Sequence, residues 1–288
     1  MSDTMVKALL RLLGTCVRAF VGFVLVYLIQ DNPIWLGLTF GFFVTLTSFI
    51  ALQTKPYNYC AIVAGFTAVV IISSKVLGNV QAIAWFRTLE VIFGIMVYAF
   101  INIMVEILIH GKAPFFDYKI KSKLISTYHQ IHLSKETIIN ALTISIPTTL
   151  TFISWLIWKY PYGFWTTVTL LVIMEDTLSA TRDKSMARFL GQTLAAVCGL
   201  LVAFYANGDV LLTGIALAIG FFISGCIIGS NSKIASMGNH AGSAIAIMLL
   251  VGLKEGATDV VTGRFFNVLA GILIANTVMW LHHRLFER

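Results

Sequence analysis

The sequence predicts an all-α protein, a polytopic membrane helix bundle of about ten transmembrane helices with a parallel internal repeat. Three observations carry that expectation. Hydrophobic residues make up 58% of the 288 residues and charged residues only 11%, where a soluble domain carries roughly 25% charged residues. With a mean hydropathy of +0.87, the chain lacks the polar side chains to cover a water-facing surface, which excludes a cytosolic enzyme and a disordered chain alike. The sequence also repeats itself, without a gap, at one offset of 177 residues.

Apolar runs long enough to span, about 20 residues each, lie near 8–30, 33–53, 57–75, 80–109, 138–158, 162–180, 188–206, 209–229, 236–253 and 260–284. The first follows Lys7 and Arg11 as a leader would, but it continues to about Ile29 with no Ala-x-Ala site, so it is expected to stay in the membrane. Segment 110–137 alternates charged and apolar residues and reads as a basic cytoplasmic linker or a short amphipathic helix on the inner surface. With the N-terminus inside, fourteen Lys and Arg fall on inner loops and ends, Arg11, Arg182, Lys184 and Arg188 among them. Only Lys75, Lys159 and Lys254 fall outside. That bias places both termini in the cytoplasm. The net charge of +7 is thereby a membrane signature, and no basic stretch interleaved with aromatics points to nucleic acid.

The repeat pairs Arg11 and Gly14 with Arg188 and Gly191, Gly37 with Gly214, Gly65 with Gly242, and Arg87 and Gly94 with Arg264 and Gly271. Six spans separate equivalent positions, an even number, so the two copies enter the membrane in the same direction. Matched glycines suit close approach of helices where lipid provides no hydrophobic push. Residues 1–110 form the first copy with four helices, 111–137 the linker, and 138–288 the second copy with six. The first copy lacks two opening spans, so the chain is either shortened at its start or a version that works with ten. Cys16, Cys60, Cys198 and Cys226 lie in apolar runs with no CxxC spacing, as packing residues do. No metal site, nucleotide-binding loop or hydrolase motif occurs, so neither a cofactor nor an enzymatic activity is expected.

Phe164-Trp165-Thr166-Thr167-x-Thr169, the turn Thr177 to Thr181 and Arg188-x-x-Gly191 together resemble the fusaric acid resistance protein-like family of bacterial inner-membrane transporters, which includes aromatic acid exporters. Arg11 to Thr15, Ala64-Gly65-Phe66-Thr67 and Arg87-x-x-Glu90-x-x-x-Gly94 are similar to the same pattern. Gln192, where the pattern has Thr, and Asn267, opposite Glu90, depart from it. The resemblance implies proton-driven efflux of small aromatic or other organic carboxylates across the inner membrane. A passive anion channel of the malate-channel type and a truncated, non-transporting membrane protein stay open as alternatives. The partners implied are membrane lipid and the anion itself; homo-oligomers and a periplasmic adaptor are left open.

Ionisable residues inside a bilayer cost about 2.5–3.5 kcal/mol or more unless paired or hydrated. Arg87 and Arg264, at matching places, and the unmatched Arg18 are candidates to face an anion pathway, because guanidinium grips carboxylates. The alternative is that they snorkel to the headgroups or pin neighbouring helices. Trp165, Thr166 and Thr169 could line a site for an aromatic ring, although interfacial anchoring explains Trp165 equally well. Glu90, one turn from Arg87, and His240 are candidates to carry the coupling proton, against the plainer readings of a self-neutralised pair and a packing histidine. Glu175 and Asp176, with Arg182, Asp183 and Lys184, read as a cytoplasmic mouth or a solvated loop.

Overall fold

A computed structural model of the chain describes residues 24, 32–54, 69, 80–110, 132–206, 209–230, 235–255 and 257–286. Among the described residues there are eight helices and no strand: α1 (Pro33–Gln53), α2 (Val80–His110), α3 (Lys135–Trp158), α4 (Phe164–Ile173), α5 (Leu178–Ala206), α6 (Val210–Gly229), α7 (Ala235–Glu255) and α8 (Ala257–Phe286). Five of them (α1, α3, α5, α6 and α8) are long and apolar enough to cross a membrane. Apart from residues 24 and 69, the expected spans at 8–30 and 57–75, and the linker up to residue 131, lie outside the described residues.

The chain divides into two compact units, residues 1–157 and 158–288. In the first, α1 starts at Pro33, whose fixed φ suits a first helical position, under a cap in which Asn32 Oδ1 accepts from the amides of Ile34 and Trp35 at 3.0 and 3.3 Å. Its buried residues, Leu36, Gly37, Phe40, Gly41, Val44 and onward, recur every three or four positions and so form one face. Gly37 and Gly41 lie against Ile153 and Thr149 of α3, and the Phe40 and Phe152 rings pack 4.4 Å apart. The opposite face shows Trp35, Leu38, Phe42 and Leu46 to the outside. Such an apolar exterior suits hydrocarbon, not water.

The second unit is built on α5, which packs against α7 and α8. Ala195, Ala196, Ala244, Ile245, Met248, Leu249 and Val261 form its core. At Gly191 a β-carbon would stand 2.8 Å from the Met237 carbonyl and 2.9 Å from the Ala241 amide, so only glycine lets α5 touch the α7 backbone here. α6 fully buries only Thr213, Gly220 and Ser224, rests Ala216 and Leu217 half-buried against that core, and turns most of its remaining surface outward.

One expected span is different. Before α5 opens at its end, the run 162–180 is helical only over α4, ten residues and about 15 Å long, half the thickness of the hydrocarbon core. The chain leaves the helix at Met174, which is extended, and α5 begins at Leu178, ten residues before the expected start at 188. The cause is local polarity. The Thr181 hydroxyl accepts from the Glu175 amide at 3.0 Å, the Thr177 hydroxyl accepts from the Ala180 amide at 3.3 Å, and Lys184 pairs with Glu175. These contacts terminate one helix and open the next. Trp165 to Leu171 and Ile173 of α4 are all buried, so this short helix is enclosed by protein, as broken helices at membrane depth must be.

Helices α1 and α6 begin at residues 33 and 210, 177 residues apart. The cap residues Asn32 and Asp209 play the same part, since Asp209 Oδ1 accepts from the amides of Leu211 and Leu212.

Candidate anion site in the second unit

The site grows from the contact of α4 with α8. At Gly271 a β-carbon would lie 2.8 Å from the Thr169 β-carbon and 2.9 Å from the Thr166 carbonyl, so α4 rests directly on the α8 backbone. A second anchor is Asn267. Its Nδ2 donates to the carbonyls of Gly263 (2.7 Å) and Pro161 (3.1 Å), and its Oδ1 accepts from the Thr166 hydroxyl at 3.2 Å. It therefore ties the 159–163 turn and the start of α4 to α8. That turn holds Lys159 and Tyr162 at positive φ (49° and 57°), a conformation disfavoured for both residue types. The ring of Tyr162 lies against Gly263, where a side chain would collide with it. Burial pushes the Tyr160 phenol up from its ordinary value, and a hydrogen bond with the Thr166 side chain opposes that shift.

Within this frame stand two arginines. Arg264, seven residues into α8, is 2% exposed, and its guanidinium carbon lies 3.9 Å from the centroid of the Trp165 ring. Its Nε and Nη1 have no hydrogen-bond partner. Arg188, ten residues into α5, is 6% exposed. Its Nε donates to the Thr169 hydroxyl at 3.3 Å and its Nη1 lies 3.4 Å from His240 Nδ1. A guanidinium has donors only, so the His240 nitrogen accepts and the imidazole is neutral, with its proton on Nε2. The two guanidinium groups lie within electrostatic range of each other. Among the described residues, neither is ion-paired with a carboxylate.

Arg264, Trp165, Thr166, Thr169 and His240 thus come together, and the repeat glycines Gly191 and Gly271 provide the close approaches behind them. Arg264 does not snorkel, because its guanidinium is covered by α4. Arg188, read from the sequence as a structural repeat residue and as an inner-loop charge, is a buried member of this cluster instead. Its misplacement follows from the early start of α5. Gly242 meets Ser224 of α6 at ordinary contact distance, and Gly94 has nothing within 4 Å among the described residues, unlike its partner Gly271. Glu90 is exposed on α2. The side chain of Arg87 lies outside the described residues, as do Arg11, Gly14, Arg18 and Gly65. Gln192 and Asn267 were visible in the sequence only as departures from a pattern. Their signal was an amide in an otherwise apolar run.

At the break between α4 and α5, Thr177, Leu178, Ser179, Arg182, Asp183 and His283 line an open cleft of about 480 Å³.

The chain matches the fusaric acid resistance protein-like family over residues 1–101 and 148–278. No curated protein and no solved structure matches it. With a match over most of its length and helices fit to cross a bilayer, the chain belongs to the fusaric acid resistance protein-like family of transporters and is a multi-pass membrane protein.

Proposed function

We propose that the protein exports small organic carboxylates, aromatic ones among them, across the bacterial inner membrane, and that Arg264 and Arg188 hold the anion on its way. One observation carries this reading: a guanidinium that is 98% buried, stacked on an indole and left with bare N–H groups. Burying an ion costs several kcal/mol, roughly, even after relaxation, and a desolvated cation–π contact returns only about 2 kcal/mol. A carboxylate entering beside Arg264 removes that deficit, and Trp165 offers an aromatic substrate a surface of its own kind.

Proton coupling has a geometric basis at His240. Its Nδ1 serves as an acceptor for Arg188 only while it carries no proton. Protonation sets N–H against N–H and drives the two side chains apart, which loosens Arg188 for the anion. Glu90 is the weaker candidate, because its carboxylate is exposed. The internal repeat is supported by the equal spacing of the α1 and α6 starts and by the two family matches, which end at residues 101 and 278, again 177 apart.

Transport of benzoate by the full chain in proteoliposomes tests the reading. Arg264→Ala is expected to reduce uptake at least tenfold while the protein still inserts, and uptake equal to wild type would overturn the role of Arg264. His240→Asn is expected to transport with a flattened dependence on an imposed pH gradient. An unaltered gradient response would remove His240 from the coupling.

A further inference from the structure

Among the described residues, four buried side-chain nitrogen or oxygen atoms lack a hydrogen-bond partner: Arg264 Nε, Arg264 Nη1, Gln192 Nε2 and Ser224 Oγ. Native proteins leave few buried polar groups unsatisfied, and each such group calls for a reason. The arginine atoms have one in the anion site. Gln192 is 3% exposed and has none so far.

Its position comes from two flanking contacts between α5 and α8. Ser185 Oγ accepts from Asn276 Nδ2 at 2.9 Å. Fourteen residues further along α5, a β-carbon on Gly199 would lie 3.0 Å from Cγ2 of Val261. Gln192 is seven residues from each, two helical turns either way, and therefore on the same stripe of α5. As α5 and α8 run antiparallel, its level on α8 falls near Val268, one turn from Arg264. On α5 itself, Arg188 precedes it by four residues on the same side. Three of the four orphaned atoms thus belong to side chains that the α5–α8 register sets about one helical turn apart, and all three are N–H donors.

We propose that the Gln192 amide is a direct hydrogen-bond donor to the carboxylate at Arg264, and so a residue that decides which anions the pathway holds. This rests on the reading of the cluster as an anion site. A group of bare donors fits a ligand that presents acceptors only, which a carboxylate does and an alcohol or amine does not. The amide adds direction without a further positive charge, so it selects by the placement of oxygen atoms and not by the strength of attraction.

Purified full chain titrated with benzoate, with thermal unfolding measured in parallel, decides the matter. Gln192→Met keeps the length of the side chain and removes the donor. Benzoate binding is expected to weaken about tenfold or more, the usual effect of a lost hydrogen bond to a charged group. The ligand-free protein is expected to unfold at the same or a higher temperature, because an unpartnered amide has left the interior. Unchanged affinity with a lower unfolding temperature would mark Gln192 as purely structural and overturn the proposal. Gln192→Glu, equal in shape, places a carboxylate against the ligand and is expected to abolish binding at neutral pH; wild-type affinity in this variant would overturn it as well. Arg264→Gln separates the two layers. If it binds benzoate as wild type does, or if the wild-type chain itself does not bind, the anion site fails and Gln192 with it. If Arg264→Gln loses binding and Gln192→Met does not, only the role of Gln192 fails.

Discussion

Arg264 holds a positive charge almost wholly buried and away from any described carboxylate, and the indole of Trp165 is its nearest compensation. A protein that stores such a deficit gains stability from any anion that relieves it. Benzoate is therefore expected to raise the unfolding temperature of the wild-type chain and to leave that of Arg264→Gln unmoved; an equal rise in both would place the anion elsewhere. Asn267 joins the 159–163 turn, α4 and α8 through its side-chain amide. Asn267→Leu breaks these bonds and leaves buried partners unsatisfied, a loss of about 2–3 kcal/mol, measurable by denaturant unfolding. Tyr160 gives the turn a pH signature. Its phenol is shifted upward in the folded state, so the folded chain retains the proton that the unfolded chain releases. Stability then falls as pH rises above about 10. Tyr160→Phe is expected to flatten that limb of the stability profile.

At the scale of elements, α4 is the part that turns a bundle into a site. Ten residues long and buried on every side, it brings Trp165 under Arg264 and Thr169 to Arg188. Its seat is Gly271. A methyl group there meets the Thr169 β-carbon and the Thr166 carbonyl, and a backbone carbonyl on a packed helix has little room to move. Gly271→Ala is accordingly expected to destabilise by about 1–3 kcal/mol and to impair transport. Gly214, with nothing within 4 Å among the described residues, is the control, since alanine there is expected to be neutral or to stabilise by up to about 1 kcal/mol. A shared residue type at these positions conceals opposite environments, and nothing in the one-dimensional pattern separates them. The break after Ile173 was similarly hidden. Glu175 and Asp176 read as a polar mouth or loop closing the run 162–180, but the break itself falls after Ile173, because an apolar run is counted by composition, whereas a helix ends where side chains take over its backbone hydrogen bonds.

For the whole molecule, the charge bias sets the orientation by insertion, before any packing exists. In a chain with its four native cysteines replaced, Gly208→Cys is expected to react with a membrane-impermeant maleimide on intact cells. Ser232→Cys is expected to react only after permeabilisation. The reverse pattern would overturn the placement of both termini in the cytoplasm. A label at neither position from outside would equally remove the 207–209 turn from the outer face.

Composition and periodicity by themselves determined that this chain is helical and lives in a bilayer, because the transfer of apolar side chains is additive along the sequence and needs no partner. They also showed which residue types are out of place in lipid, Arg264 and His240 among them. Which of those residues meet was decided only by the tertiary structure. The approach of α4 to α8, permitted by one absent side chain at Gly271, and the seating of Arg188 against Thr169 depend on contacts between segments some 20 to 100 residues apart. A buried charge is legible from one residue; its counter-group, or the lack of one, is a property of the packed whole.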